Sequence, residues 1–314
     1  MKYIFNTEEF RLENSAVCLG KFDGIHMGHR LLIDKIQTYK EQGLQSVVFT
    51  FALHPSTLFS NGDAKLIDTM SEKVNKLEQL GVHTLVSYPF TKHTASMEPE
   101  QFIDNVLVKK IDAKVIVVGN DFHFGHQRKG NVSLLRKYAD KFGYEVVSLE
   151  KLEEENQVVS STRIRNEIKV GNMEKVTRLL TVPYAIVGEV IHGKQLGRTI
   201  GMPTINQQVE DNKIVPKHGV YVSKVYLPDG VYGGITNIGI KPTVSGEKQV
   251  GVETHIFDFE GDLYGKVLKT EILHFVRKEQ KFDSVEALKK QMHKDMAFGK
   301  EYLSDDLNFP HTTR

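Results

Sequence analysis

The apolar run Ala16 to Leu19 is followed by Gly20-Lys21-Phe22-Asp23-Gly24-Ile25-His26-Met27-Gly28-His29 and then by a helical pattern from Arg30. A strand that hands over to a helix through a glycine-bearing loop constrains the fold strongly. It gathers unpaired N–H groups and the positive end of a helix dipole at one point, and glycines let a ligand approach the backbone there. Two histidines three apart add imidazole donors for charge that develops on phosphate oxygens. The stretch predicts a nucleotide triphosphate site. A surface turn with two bystander histidines is the plain alternative, because a motif needs its structural context.

Further along, β-rich runs alternate with helical stripes. Leu32, Ile36 and Tyr39 form one stripe, stopped by Gly43, and Ser46 to Phe51 is a buried run. Ser71 reads as the N-cap of a helix carrying Val74, Leu77 and Leu80, stopped by Gly81. Val82 to Tyr88, a helix from Pro99 to Ile111, Lys114 to Val118, a helix from Val132 to Phe142 and Tyr144 to Leu149 follow. Such alternation predicts an α/β, doubly wound (Rossmann-like) domain with a parallel sheet covered on both faces. Ligands of these folds gather at the carboxyl ends of the strands.

Two more loops fall at such places. Gly119-Asn120-Asp121-Phe122-His123-Phe124-Gly125 follows one strand; two aromatics around a histidine exceed what an ordinary glycine-bounded turn requires. Ser160-Ser161-Thr162-Arg163-Ile164-Arg165 opens a helix with hydroxyls followed by two guanidinium groups, a composition suited to phosphate oxygens. Glu153, Glu154 and Glu155 read as a solvated loop.

These three runs, in order and spacing, resemble the adenylyltransferase half of prokaryotic bifunctional riboflavin kinase/FAD synthetases. Thr50-Phe51-Ala52-Leu53-His54-Pro55 departs modestly from that family's Thr-Phe-x-Pro-His-Pro. The resemblance implies that the FMN phosphate attacks the α-phosphorus of ATP, giving FAD and pyrophosphate with no covalent enzyme intermediate. It assigns His26 and His29 to the ATP phosphates and the developing charge. Gly20, Phe22, Gly28, Ser161, Thr162, Arg163 and Arg165 are placed in ATP binding, and Asp121, Phe122 and Phe124 on the substrate side. Asp23 either orients a histidine or assists a metal.

Past Pro183 the texture changes to short alternating runs, Ile186 to Ile191, Gly219 to Leu227, Val250 to Phe257 and Lys266 to Val276. With Asp229-Gly230 as a turn, they predict an antiparallel barrel or sandwich. Asn172 reads as the cap of a preceding helix. A last helix is expected from Asp283, with Glu286 as its capping-box partner. The boundary falls near Val182, giving domains 1–182 and 183–314.

Gly193, Gly197 and Gly201 stand at four-residue spacing before Pro203-Thr204-Ile205-Asn206. Close backbone approach and two neutral oxygens fit nucleotide phosphates with Mg²⁺; a glycine-rich hairpin is the alternative. This run resembles the Gly-Arg-x-x-Gly-x-Pro-Thr-Ala-Asn signature of riboflavin kinases, with Ile205 in place of alanine. Asn237-Ile238-Gly239-x-x-Pro242-Thr243 and Val252-Glu253-Thr254-His255 resemble further motifs of that family. By that resemblance Thr204 and Asn206 hold Mg²⁺ and ATP phosphates, and Glu253 takes the proton from the ribityl 5′-hydroxyl. Ile205 is expected to crowd the nucleotide.

Composition narrows the remaining classes. At 314 residues the chain is long enough for two cores. Forty-one basic residues against forty acidic ones leave a net charge of +1, so no nucleic-acid partner is expected. No run reaches the length of a membrane span, so a cytoplasmic protein is expected. Cys18, the single cysteine, reads as a small buried residue. The partners implied are riboflavin, FMN, FAD and ATP; oligomeric state is left open. Retention of the adenylyltransferase alone, or a flavin-sensing protein without turnover, are the rival readings.

Overall fold

The computed structural model describes residues 1–52, 65–193, 197, 201–242 and 248–304. Leu53, His54 and Pro55 of the first departure from family pattern, residues 194–196 and 198–200 of the glycine-spaced run, and Thr243 lie outside them. The chain divides into two compact units, Met1–Ser161 and Thr162–Arg314.

Six parallel strands form the sheet of the first unit. They are β1 (Lys2–Phe5), β2 (Ser15–Leu19), β3 (Gln45–Phe51), β4 (Thr84–Tyr88), β5 (Ala113–Gly119) and β6 (Glu145–Leu149), in the order β1-β4-β3-β2-β5-β6. Alternate residues of β2 enter opposite cores. Val17 and Leu19 pack with Phe49, Ile103 and Ile116 on one face, Ala16 and Cys18 with Ile33, Ile36 and Leu77 on the other. Full burial of a side chain such as Ile33 contributes roughly 2 kcal/mol. The sheet is thus buried on both sides, as the near-continuous apolar runs require. Chain order reverses between β2 and β5, and the switch point opens at their carboxyl ends.

Helix α1 (Met27–Gln37) starts three residues before the sequence pattern indicates, so Gly28 and His29 lie inside its first turn. Tyr39 continues the buried stripe on a 3-10 turn that Gly43 ends in the left-handed conformation. Helix α2 (Met70–Gln79) is capped by Thr69 and not by Ser71. Thr69 Oγ1 accepts from the Glu72 N–H while a Glu72 carboxylate oxygen accepts from the Thr69 N–H, a reciprocal capping box. The helix expected over Pro99 to Ile111 is a short α segment, Pro99–Gln101, running into a π-helical stretch, Phe102–Val108. Helix α3 (Val132–Phe142) matches its expected span. The acidic Glu153 to Glu155 run is part of an exposed hairpin, Glu153–Glu154 against Gln157–Val158, and not a loop.

The second unit begins with α4 (Ser161–Val170, whose first residue belongs to the first unit) and α5 (Met173–Leu180). Asn172 sits at the start of α5 without capping it through its side chain; its amide donates to Glu167. A closed barrel follows, which resolves the choice between barrel and sandwich. Its strands are β7 (Tyr184–Ile191), β8 (Ile205–Gln207), β9 (Gly219–Leu227), β10 (Gly230–Pro242), β11 (Lys248–Ile256) and β12 (Val267–Arg277), all antiparallel, in the order β7-β8-β11-β10-β9-β12. Helix α6 (Val285–Ser304) closes the described chain. Its start is held by Ser284, whose Oγ accepts from the Ala287 N–H; the expected Asp283–Glu286 box is not what begins it. The bidentate pair of Arg277 with buried Asp295 fastens α6 to the end of β12.

Candidate active sites

The loop after β2 is shaped from beneath. Phe22 is fully buried at a positive φ, and Gly24 has φ +63° with Ile67 so close that an added Cβ would lie 2.7 Å from its Cγ2. Only glycine meets both demands. Asp23, 2 % exposed, accepts through Oδ1 from the Ile67 N–H (2.9 Å) and Asp68 N–H (3.3 Å). Asp23 thereby ties the loop to a neighbouring segment, in addition to the two roles expected of it. Ser161 joins the same loop by donating to the Asp23 carbonyl at 2.7 Å.

Above this base the two histidines stack, with ring centroids 3.7 Å apart and planes 16° from parallel. His26 is the N-cap of α1, its Nδ1 accepting from the His29 N–H at 3.3 Å. An accepting Nδ1 leaves the proton of neutral His26 on Nε2. His29 Nδ1 lies 3.2 Å from the Gly24 carbonyl; a carbonyl only accepts, so this nitrogen donates and neutral His29 keeps its lone pair on Nε2. One ring offers a donor and the other an acceptor. Burial lowers the His26 pKa to about 4. Burial, then the neighbouring His26 and the Lys73 charge, hold His29 well below the ordinary imidazole value. Both rings are therefore neutral at pH 7.

The loop after β5 separates its sequence-predicted residues. Phe124 belongs to the core beside Phe102, whereas Phe122 is half-buried and stacks on Phe124 at 5.7 Å. Asp121 is exposed and paired with Lys151 at 2.7 Å. Phe124 thus shapes the loop from inside, and Asp121 and Phe122 are its accessible members. On α4, Thr162 is exposed, Arg163 buried and Arg165 half-buried.

In the barrel, Asn206 on β8 is directly opposite Glu253 on β11, and Glu253 is opposite Asn237 on β10. Directly opposed residues share a face, so amide, carboxylate and amide stand in a row. Gly193 lies against this row: a Cβ there would fall 2.3 Å from Asn206 Nδ2. Ile205 packs instead with the apolar cluster of Val190, Val225, Ile256 and Leu268. It lies on the strand face opposite Asn206 and also borders the neighbouring cavity. A cavity of about 390 Å³ is bordered by Thr204, Ile205, Thr254, Phe259 and Tyr264. Gly197 meets Met202 through a Met202 N–H to Gly197 carbonyl bond of 2.8 Å, and Gly201 adopts φ +76°. Thr204 and Asn206 carry neutral oxygens of the hard type that suits Mg²⁺, which takes few protein oxygens and keeps waters.

Sequence reasoning missed Asp68 and Lys73, and gave Thr50, the first residue of the Thr50-to-Pro55 run, no role. Thr50 Oγ1 and Lys73 Nζ both donate to the Lys21 carbonyl at 3.0 Å. No motif marks Asp68 or Lys73.

A parallel doubly wound sheet with a histidine-bearing loop at its switch point, followed by a closed six-stranded barrel, defines a nucleotidyltransferase-type unit joined to a flavokinase-type unit. The FAD synthetase family matches residues 9–163 and the riboflavin kinase family residues 180–303. The chain is 36 % identical over 292 residues to a bifunctional riboflavin kinase/FMN adenylyltransferase of Listeria monocytogenes, covering 92 % of each. With the protein of that description from Bacillus subtilis it shares 37 % over 297 residues, 93 % of each chain. The chain belongs to the bifunctional riboflavin kinase/FMN adenylyltransferase family. A solved structure described as a macrolide-efflux protein from Streptococcus pneumoniae superposes with a TM-score of 0.83 at 32 % identity, over 95 % of this chain and 98 % of that one. Among the described residues no helix is long and apolar enough to cross a membrane.

Proposed function

We propose that the chain carries out flavin cofactor synthesis in two ATP-dependent steps, riboflavin to FMN in the barrel unit and FMN to FAD in the sheet unit. The observation that carries the reading is that each unit assembles its own chemistry: the stacked His26–His29 pair at the start of α1, and Asn206 beside Glu253 in the barrel. The division of labour is proposed near Val182, just inside the start of the second matched family region, residues 180–303.

For FAD formation, an FMN phosphate oxygen attacks the α-phosphorus of ATP, and the bond to the departing pyrophosphate breaks. No protein nucleophile is needed; orientation and charge stabilisation suffice. His26 donates from Nε2 to a phosphate oxygen, while Gly20, Phe22 and Gly28 shape the backbone that receives the triphosphate. The family resemblance assigns Ser161, Thr162, Arg163 and Arg165 to ATP and Asp121 and Phe122 to FMN. For FMN formation, Glu253 accepts the proton of the ribityl 5′-hydroxyl as its oxygen attacks the γ-phosphorus and ADP leaves. Thr204 and Asn206 would hold Mg²⁺, which when bound would supply charge neutralisation at the phosphates. The proposed setting is cytoplasmic, with riboflavin, FMN, FAD and ATP as its small-molecule partners.

A chromatographic time course with riboflavin, ATP and Mg²⁺ tests this. FMN rising before FAD is the expected result. Riboflavin left untouched while added FMN becomes FAD removes the kinase step from the reading. No turnover of either flavin overturns it in favour of a sensor.

A further inference from the structure

We propose that Lys73 is a positioning residue for adenylyl transfer, its buried ammonium holding the Gly20 to Gly24 loop in the form that presents the histidine pair to phosphate. This inference rests on the reading of the sheet unit as the adenylyltransferase and deepens it.

Three alternate loop positions are gripped by one neighbouring segment. Lys73 Nζ donates to the Lys21 carbonyl at 3.0 Å. Asp23 accepts from the Ile67 and Asp68 N–H groups. Asp68 accepts from the Ile25 N–H at 3.4 Å and pairs with Lys76 at 2.7 Å. His26 is the next residue in the chain. Its ring position therefore depends on a frame set by residues 67 to 76, outside the motif itself.

Lys73 is the unusual member of that frame. It is 7 % exposed, with Asp23 and Asp68 at 2 % each. Burial disfavours its charge, and the carboxylates of Asp23 and Asp68 counter that. An apolar side chain would fill the same space without the cost of a buried ion. A cation behind a loop whose front receives a polyanion has a further effect: it adds attraction for phosphate charge through a medium that water screens poorly. Retaining a lysine there is understandable if the loop must be both rigid and positive.

The test uses the full chain as wild type, Lys73→Met, Lys73→Met/Asp68→Asn and Thr50→Val. Initial rates of FAD formation from FMN are measured over ranges of ATP and FMN, and circular dichroism with the urea unfolding curve of the same samples reports that the sheet unit is folded. Lys73→Met is expected to lower kcat for FAD formation about tenfold, with a smaller change in KM for FMN. The double variant is expected to stay as slow as the single one, because neutralising Asp68 does not restore the grip on Lys21. Thr50→Val, which loosens the same carbonyl without touching the buried charges, is expected to lower kcat about threefold. It keeps the idea testable should Lys73→Met fail to fold. Wild-type kcat in Lys73→Met or in Thr50→Val overturns the proposal. Recovery in the double variant also overturns it, since Lys73 would then serve only to neutralise Asp68. Wild type that makes no FAD from FMN brings down the adenylyltransferase reading itself, a result distinct from the other three.

Discussion

Two imidazoles stacked at 3.7 Å and shielded from water resist protonation, and this has a consequence for stability. The His26 pKa falls from 6.5 to about 4 on folding. A lowered histidine pKa means that the unfolded chain binds the proton first as pH falls. Stability is therefore intact above about pH 6.5, declines between 6.5 and 4, and is fully lost below that window. The His26 contribution amounts to about 2 kcal/mol lost by pH 5. Urea titrations at pH 8 and pH 5 are expected to show a smaller drop for His26→Asn than for wild type by about this amount. Equal drops would mean that His26 is solvated and not buried. Gly193 sets a second single-residue condition, because a methyl group there meets Asn206 at 2.3 Å. Gly193→Ala is expected to lower riboflavin phosphorylation at least tenfold by displacing Asn206, with FAD formation from FMN unchanged in the same assay. The histidines, Asn206 and Glu253 were legible in the sequence because they sit in spaced motifs. Asp68 and Lys73 were not, since a charged residue before or on a helical pattern reads as solvent-facing until tertiary packing buries it.

Elements carry these residues, and their ends decide where the residues point. Helix α2 brings Lys73 and Lys76 under the histidine loop, and Thr69 starts that helix through a reciprocal box with Glu72. Ser71 has the right chemistry for a cap, but Thr69 alone has Glu three residues on, which is the feature that should have decided the reading. Thr69→Ala is expected to cost about 1 kcal/mol, read as a lower midpoint in urea, and to slow FAD formation more than FMN formation because Lys73 leaves the first turn of α2. Thr69→Ser should restore both. Strand β10 was missed for a different reason: Gly230, Gly233, Gly234 and Gly239 erase the alternation on which strand reading depends. Its pairing with β9 and β11 supplies what its own side chains do not announce. Strand β8 is three residues long, too short for any period to register. The alternating elements of the sheet unit were legible because each has a full apolar face and a glycine or a cap at its end.

At the scale of the molecule, the division into two compact units and two matched family regions makes the two chemistries separable by mutation. On the proposed reading the sheet unit stabilises charge through the neutral His26 ring, with His29 stacked on it, and needs no base, because the FMN phosphate is already an anion. On the same reading the barrel unit activates a hydroxyl, the role proposed for the Glu253 carboxylate. Loss of either site is therefore expected to be selective. His29→Ala removes the ring that stacks on His26 and bonds the Gly24 carbonyl, and is expected to reduce FAD formation at least a hundredfold while FMN still accumulates from riboflavin. Glu253→Ala is expected to reverse the pattern: riboflavin stays unphosphorylated, and supplied FMN is converted to FAD at the wild-type rate. Glu253→Gln, which keeps shape and removes the base, should match Glu253→Ala in kcat, separating proton transfer from packing against Asn206 and Asn237. Loss of both activities in either single variant, with the circular dichroism of the native fold retained, would mean that one site serves both reactions and that the assignment of one chemistry to each unit is wrong.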